Sequence, residues 1–249
     1  MIELHGVRKR FGEQIVLDGV DFTVADGETV ALLGPSGTGK SVLLKHINGL
    51  IHPDAGQILV DGKNVALLKR DELAQLRMSI GYVFQNGALF DSMNVYENVR
   101  LGIVNQKQFG DDDFCRTRVA ECLRLVNLTP DTADKFPAQL SGGMRKRVGI
   151  ARAIAGSPTY LLYDEPTSGL DPVNSDIVDR LVRRLSDELG VTSVMVTHDV
   201  RGAFRVADRI ALLSEGRIVL QGTPDEFRAS NDPKVKAFLE RDFETEEAA

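Results

Sequence analysis

Gly34-Pro35-Ser36-Gly37-Thr38-Gly39-Lys40-Ser41 fits the spacing G-x-x-x-x-G-K-[ST] of a phosphate-binding loop. Its glycines let the backbone curl so that successive N–H groups point at one anion. Lys40 can bridge the β- and γ-phosphates of a nucleoside triphosphate, and the Ser41 hydroxyl can bind Mg²⁺. The flanks suit this chemistry. Thr29–Leu33 is short and apolar and runs into the glycines, as a buried strand does. A helix is expected from Lys40 to about Leu50, with its positive N-terminal end at the phosphates. Gly34, Pro35, Ser36, Gly37, Thr38, Gly39, Lys40, Ser41 and Val42 are therefore the candidate nucleotide-binding residues.

Upstream of the loop, Ile2–Val7, Ile15–Leu17 and Asp21–Val24 are β-rich, and Asp26-Gly27 signals a turn before Thr29. Downstream, the pattern from Gln85 to about Ile154 is helical, with an acidic loop expected at Asp111–Asp113. Tyr160–Tyr163 reads as a strand. Asp171-Pro172 opens a helix with an Asp cap, Ile177, Val178, Leu181, Leu185 and Leu189 form its apolar stripe, and Gly190 ends it. Ser193–Thr197 is the next strand. Thr223-Pro224-Asp225-Glu226 is a capping box. Asp232-Pro233 starts a short helix carrying Val235, Phe238 and Leu239. Strands alternating with crossover helices imply a mainly parallel sheet.

Tyr160-Leu161-Leu162-Tyr163 ends in Asp164-Glu165, two acids at the carboxyl end of a strand, where ligands bind in α/β sheets. Asp164 would hold Mg²⁺ through water, and Glu165 is placed to polarise an attacking water. In Leu140-Ser141-Gly142-Gly143-Met144 the Ser141 hydroxyl and the Gly142 and Gly143 amides start a helix and can face a second phosphate. An ordinary serine cap is the plainer alternative. Taken alone, the basic residues after it would suggest a solvated helix face.

The segment Leu140–Ala153 resembles the signature motif of the ABC-type ATPases and matches it beyond its core. That resemblance implies a P-loop NTPase core with a mainly parallel sheet, an N-terminal antiparallel β subdomain and an inserted α-helical subdomain at about 86–155. The whole forms one ATPase domain over 2–240. It further implies ATP and Mg²⁺ as cofactors, with ATP held between two copies of the chain. Gln85 resembles the Q-loop glutamine that reaches Mg²⁺ and water. Ser168-Gly169-Leu170-Asp171 resembles the D-loop lying against the other subunit, and His198 the switch histidine at the γ-phosphate. Phe11 stands where the family's adenine-stacking aromatic, usually Tyr, is found. Ser41, Gln85 and Asp164 are then the metal residues, Glu165, His198 and Gln85 the catalytic ones. Ser141, Gly142, Gly143 and Asp171 serve the partner's ATP.

Composition is that of a globular chain: 249 residues, 43% hydrophobic, 27% charged, net charge −6. An acidic balance argues against nucleic acid as the partner. No apolar run reaches the roughly 18–20 residues that span a bilayer, and the N-terminus lacks a secretory pattern. Cys115 and Cys122, with Val119, Leu123 and Val126, fit one helix face as reduced core residues. His5, His46 and His52 match no motif and are read as structural. Residues 241–249 are expected to be a short acidic tail, frayed at Glu244–Glu247.

Within the family, Phe84–Val99, Met144-Arg145-Lys146-Arg147 and Asn231–Leu239 resemble the Mla/Mce-type phospholipid-transport ATPases, except that Asn86 stands where Ser is expected. This implies a membrane permease as partner, an Mce-domain lipid-binding protein beside it, and a place on the cytoplasmic face of the inner membrane. The ATPase of an amino-acid or metal importer, or a non-transport ABC ATPase, are the alternatives.

Overall fold

The computed structural model describes residues 1–247, with side chains as far as residue 240. In chain order the strands are β1 (Ile2–Phe11), β2 (Gln14–Val24), β3 (Thr29–Leu33), β4 (Ala55–Val60), β5 (Lys63–Asn64), β6 (Ile80–Val83), β7 (Tyr160–Asp164), β8 (Thr192–Thr197), β9 (Arg209–Ser214) and β10 (Arg217–Gly222). The helices are α1 (Lys40–Ile47), α2 (Arg70–Met78), α3 (Val95–Arg100), α4 (Gln106–Phe109), α5 (Asp112–Leu125), α6 (Gly142–Ile154), α7 (Pro172–Leu189), α8 (Val200–Val206), α9 (Pro224–Ala229) and α10 (Pro233–Glu247). Two compact units result: Met1–Leu73 with Thr192–Ala249, and Ala74–Val191.

The first unit holds an antiparallel sheet and a mainly parallel one. β1 pairs antiparallel with β2 and β4, and β4 with β5. The short runs expected near the N-terminus merge into two long strands. Register shifts between Leu4 and Arg8, and at Lys9–Arg10, break the period-two alternation, so one bulged strand reads as fragments. β3 lies between β8 and β9, parallel to both, and β10 adds antiparallel to β9. All five residues of β3 are buried, as expected of a strand covered on both faces. The Asp26-Gly27 turn joins β2 to β3 across a change of sheet and forms no hairpin; Gly27 supplies its left-handed backbone, φ 73°. Thr223 and Glu226 make the expected capping box on α9.

In the second unit β6 and β7 pair in parallel, from Ile80 opposite Tyr160 to Val83 opposite Tyr163. Small residues bring α6 close to its neighbours: a Cβ on Gly81 would lie 2.4 Å from the Ala153 carbonyl oxygen. Cys115, Val119, Cys122 and Leu123 are the buried stripe of α5, both cysteines are free thiols, and burial pushes the Cys122 thiol up to about 11. The acidic loop expected at Asp111–Asp113 is instead a helix start. Asp111 caps α5 by accepting from the Phe114 amide, and Asp112 and Asp113 occupy the first turn, where the helix dipole favours them. α7 begins at Pro172 under the Asp171 cap and ends at Gly190, φ 61°. Its stripe buries Val178, Leu181 and Leu185, whereas Ile177 and Leu189 lie at its edge, each 37% exposed. The side chains of the acidic tail expected over 241–249, and the backbone of its last two residues, lie outside the described residues.

Candidate functional site

Each unit holds its own share of the expected residues. In the first, Leu33 at the end of β3 stands opposite Thr197 at the end of β8, so the Gly34 loop and His198 leave the sheet at the same end. Open α/β sheets bind ligands at that end. The loop needs its glycines. A Cβ on Gly34 would sit 2.4 Å from the Leu213 carbonyl oxygen, and one on Gly39, φ 100°, 2.7 Å from Val16 Cγ1. Thr38 Oγ1 donates to the Pro35 carbonyl at 2.9 Å. Lys40 is buried, and its ammonium donates to the Gly34 and Pro35 carbonyls at 2.6 and 3.1 Å, poised over the cradle. Ser41 and Val42 lie in the first turn of α1. The backbone cradle and its lysine fit a polyphosphate. Phe11 closes β1, 48% exposed, with the Lys9 ammonium 5.5 Å from its ring centre. Asp199, next to the exposed His198, caps α8 by accepting from the Gly202 amide.

His46 is buried on the helix that carries Lys40. Its Nδ1 lies 2.7 Å from the Val42 carbonyl and so carries the proton, while Nε2 finds no partner. Burial accordingly holds its pKa below the ordinary histidine value. His5 and His52 are exposed, His5 within 3.3 Å of Glu3.

In the second unit, the Tyr82 hydroxyl donates to Asp164 at 3.1 Å, fixing the acid that ends β7; burial pushes the Tyr82 pKa far up, so it stays a neutral donor. Glu165 follows with φ 50°, a left-handed backbone that costs a non-glycine residue about 1–2 kcal/mol. Its carbonyl accepts from the Ser168 amide at 3.2 Å, and the Gln85 side chain donates to Ser168 Oγ at 3.2 Å. Gln85, Asp164 and Glu165 are thus gathered with the start of the Ser168–Asp171 loop.

Ser141 caps α6 by accepting from the Met144 amide at 3.2 Å, so the plainer reading of this serine holds in part. Its hydroxyl proton still leaves it able to donate. Gly142 and Gly143 are the first residues of the helix, and a Cβ on Gly143 would press to 2.8 Å from Asn174 Oδ1. Asn174 in turn donates to Asp171 at 2.6 Å. That bond and the backbone amides of α7 hold the Asp171 carboxyl below the usual carboxylate range. Asp171 therefore has an N-capping job besides any role toward a partner.

Sequence reading missed the basic residues of α6. Arg145 is exposed, but Lys146 is buried and Arg147 and Arg152 are half-buried. Lys146 donates to the Gln85 and Glu165 carbonyls, Arg147 to Asn127 at 2.7 Å, and Arg152 to the Gly87 and Ala88 carbonyls, both at 2.7 Å. Asn98, also missed, is buried and binds the 90–94 loop. Among the described residues no cluster of three or more His, Cys, Asp or Glu could hold a metal alone. The oxygens of Ser41, Gln85 and Asp164 are hard donors of the kind Mg²⁺ accepts beside phosphates. No helix among the described residues is long and apolar enough to cross a membrane.

A family model described as ABC transporter matches residues 17–168. The "probable ribonucleotide transport ATP-binding protein mkl" of Mycobacterium tuberculosis is 40% identical over 238 residues, 96% of this chain and 66% of that protein. The sulfate/thiosulfate import ATP-binding protein CysA of Caulobacter vibrioides is 44% identical over 90% of this chain and 65% of its own length. The chloroplastic protein trigalactosyldiacylglycerol 3 of Arabidopsis thaliana is 40% identical over 96% of this chain and 73% of its own. The chain thus spans about two thirds of the length of the first two of these relatives. Among solved structures, the dimeric ATP-binding cassette MJ0796, in a post-hydrolysis state with ADP and Pi, superposes with TM-score 0.81. It is 36% identical, over 90% of this chain and 99% of that one.

Proposed function

This chain belongs to the ABC transporter family, and from that premise we propose that it binds Mg-ATP between two copies of itself and hydrolyses it to drive a membrane permease. One observation carries the proposal. The chain has one phosphate loop, Gly34–Ser41, and one signature start, Ser141–Gly143, at the N-terminus of a 13-residue helix. The Ser141 hydroxyl and the first amides of α6 are donors suited to a phosphate. A second copy supplies that phosphate, and a two-fold pair completes two sites at once. MJ0796, a cassette of this fold, was solved as a dimer with ADP and Pi, which supports pairing of two copies.

In this reading Lys40 and the loop amides bind the β- and γ-phosphates. Phe11 stacks on adenine. Ser41, Gln85 and Asp164 would hold Mg²⁺, which would supply neutralising charge to the phosphates. Glu165 accepts the proton of the attacking water, and His198 hydrogen-bonds the γ-phosphate. Hydrolysis removes the ligand that joins the two chains, so binding and hydrolysis alternate closed and open pairs.

Mixing two inactive variants tests the shared site. Lys40→Ala disables the loop half and Ser141→Arg blocks the signature half. In the mixed pair both lesions fall on one site, and the other is assembled from intact halves. Recovery of ATPase activity on mixing is expected; none, with heterodimers verified, would overturn the shared site.

The permease reading places the chain at the cytoplasmic face of the inner membrane. For the cargo we propose phospholipid, with an Mce-domain protein beside the permease. Support comes from the Phe84–Val99 and Met144–Arg147 runs, and the Arabidopsis relative, 40% identical, carries a galactolipid in its name. Sulfate import is the second reading, favoured by 44% identity to the Caulobacter protein. Mass spectrometry of the complex purified through a tagged chain decides between them. An Mce-domain protein supports lipid, and a sulfate permease overturns it.

A further inference from the structure

We infer that Lys146 is a positioning residue for hydrolysis: its ammonium, carried by the signature helix, fixes the backbones of Gln85 and Glu165 together. The inference rests on the roles proposed above for those two residues.

Three basic residues in a row, Arg145, Lys146 and Arg147, follow the signature glycines. The outer two turn to nearby carbonyls, Arg145 to Leu140 at 2.8 Å and Arg147 to Asn127. Lys146 alone of the three turns to the end of β7. It is 6% exposed. Its ammonium donates to the Gln85 carbonyl and, at 3.3 Å, to the Glu165 carbonyl. Taking an ammonium out of water is costly unless it is hydrogen-bonded and offset by charge. Burial does push the Lys146 pKa down, against the pull of the Glu165 charge.

Burying an ammonium is a costly way to gain stability, since its desolvation offsets much of what its hydrogen bonds return. The atoms it holds give a better reason. Glu165 sits in a left-handed backbone, φ 50°, a strained conformation that must be held by its surroundings. Two donors grip its carbonyl, the Ser168 amide and Lys146. Gln85, the other end of the grip, sends its side chain to Ser168. One ammonium thereby ties the signature helix to the water-activating acid and to the metal-facing glutamine.

The test compares Lys146→Met, Lys146→Gln and Lys146→Arg in the full chain, measuring kcat and KM for Mg-ATP, melting temperature and backbone hydrogen exchange. Met keeps length and packing but has no donor. It should lower kcat on the order of 10- to 100-fold through misplacement of the reacting groups, with KM little changed, while the loss of two charged hydrogen bonds lowers the melting temperature by several degrees. Gln restores one donor and Arg the charge, so both should recover part of kcat. Amides at 84–87 and 165–168 should exchange faster in the Met variant without nucleotide, a readout independent of any ATPase activity. Abolition of wild-type hydrolysis by Lys40→Ala tests the ATPase reading by itself. Unchanged exchange at both segments in the Met variant overturns the inference, as does a kcat within about threefold of wild type. A kcat that follows melting temperature across all three variants, with no rescue by Gln or Arg, would make Lys146 merely structural, and overturns it too.

Discussion

Replacing Asn98 by Ala should cost more than any other single side-chain truncation on α3, because one amide closes the loop before that helix. Asn98 is fully buried. Its Oδ1 accepts from the Phe90 amide at 2.8 Å. Its Nδ2 lies 3.1, 3.0 and 3.0 Å from the Phe90, Met93 and Asn94 carbonyls. An amide nitrogen has two hydrogens, so two of those three carbonyls are served at a time and the side chain makes three bonds in all. At about 1 kcal/mol net each, Asn98→Ala loses about 3 kcal/mol, and a Phe90 amide left without its acceptor adds to that. For a chain of this length that corresponds to a fall in melting temperature of roughly 6–12 °C. Asn98→Asp should be worse, since it keeps the acceptor, loses both donors and buries a charge. Denaturant titration gives the energy, and hydrogen exchange at Phe90 shows where it is lost. A loss under about 1 kcal/mol with unchanged exchange at Phe90 would refute the reasoning, because the amide would then not be closing the loop. The loop matters beyond stability: it displays Phe90, 53% exposed, in the segment proposed to meet the permease.

Glu165→Gln keeps shape and hydrogen bonding but removes the base. ATPase activity of the assembled complex should fall on the order of 10²–10⁴-fold with ATP binding retained, and near-normal turnover would exclude Glu165 as the base. Phe11→Ala should weaken ATP binding roughly 2- to 13-fold, from about 0.5–1.5 kcal/mol of stacking, while Phe11→Tyr stays near neutral; fluorescence titration with an ATP analogue measures both, and an unchanged Ala variant would remove Phe11 from the adenine site. Phe90→Asp puts a charge on an exposed ring and should release the chain from membranes with its circular dichroism unchanged. Membrane pelleting reads this directly, and full retention would argue that the 85–99 segment serves only the unit's own packing.

The parts of this molecule that were legible in the sequence are those whose chemistry is local. A phosphate loop is written in consecutive residues, and so are the caps: Asp171 before Pro172, Thr223 with Glu226, Ser141 before two glycines. Each satisfies helix amides within three positions, and the structure forms them. What was not legible depends on partners distant in sequence. Lys146 and Arg152 look like a solvated face because three neighbouring residues are basic, yet their acceptors lie some 60 residues earlier, at Gln85, Gly87 and Ala88. Asn98 reads as one polar residue in a short helix, and only the fold brings the Phe90 amide to it. The left-handed backbone of Glu165 leaves no mark either, since glutamate has no preference for it. β1 and β2 were read as fragments because a bulge shifts the alternation that identifies a strand.

Those distant partners suggest how a cassette of this kind passes a signal along its own second unit. The start of α6 is the proposed phosphate contact, and Lys146 in its second turn and Arg152 near its end both grip the 85–88 segment. Between them the helix touches that segment directly: a Cβ on Gly149 would lie 3.1 Å from the Cα of Gly87. Hydrogen bonds to charged donors are worth about 1.5–3 kcal/mol each, and α6 makes three of them to Gln85, Gly87 and Ala88. Sliding the helix past the segment would break all three, whereas moving both together breaks none. A pull on the phosphate end of α6 is therefore transmitted to residues 85–88, and through the loop that Asn98 closes it reaches Phe90. On the proposed reading, the same stretch of chain that places the glutamine at Mg²⁺ also carries the displacement to the permease, and the basic residues of α6 are the fastening between them.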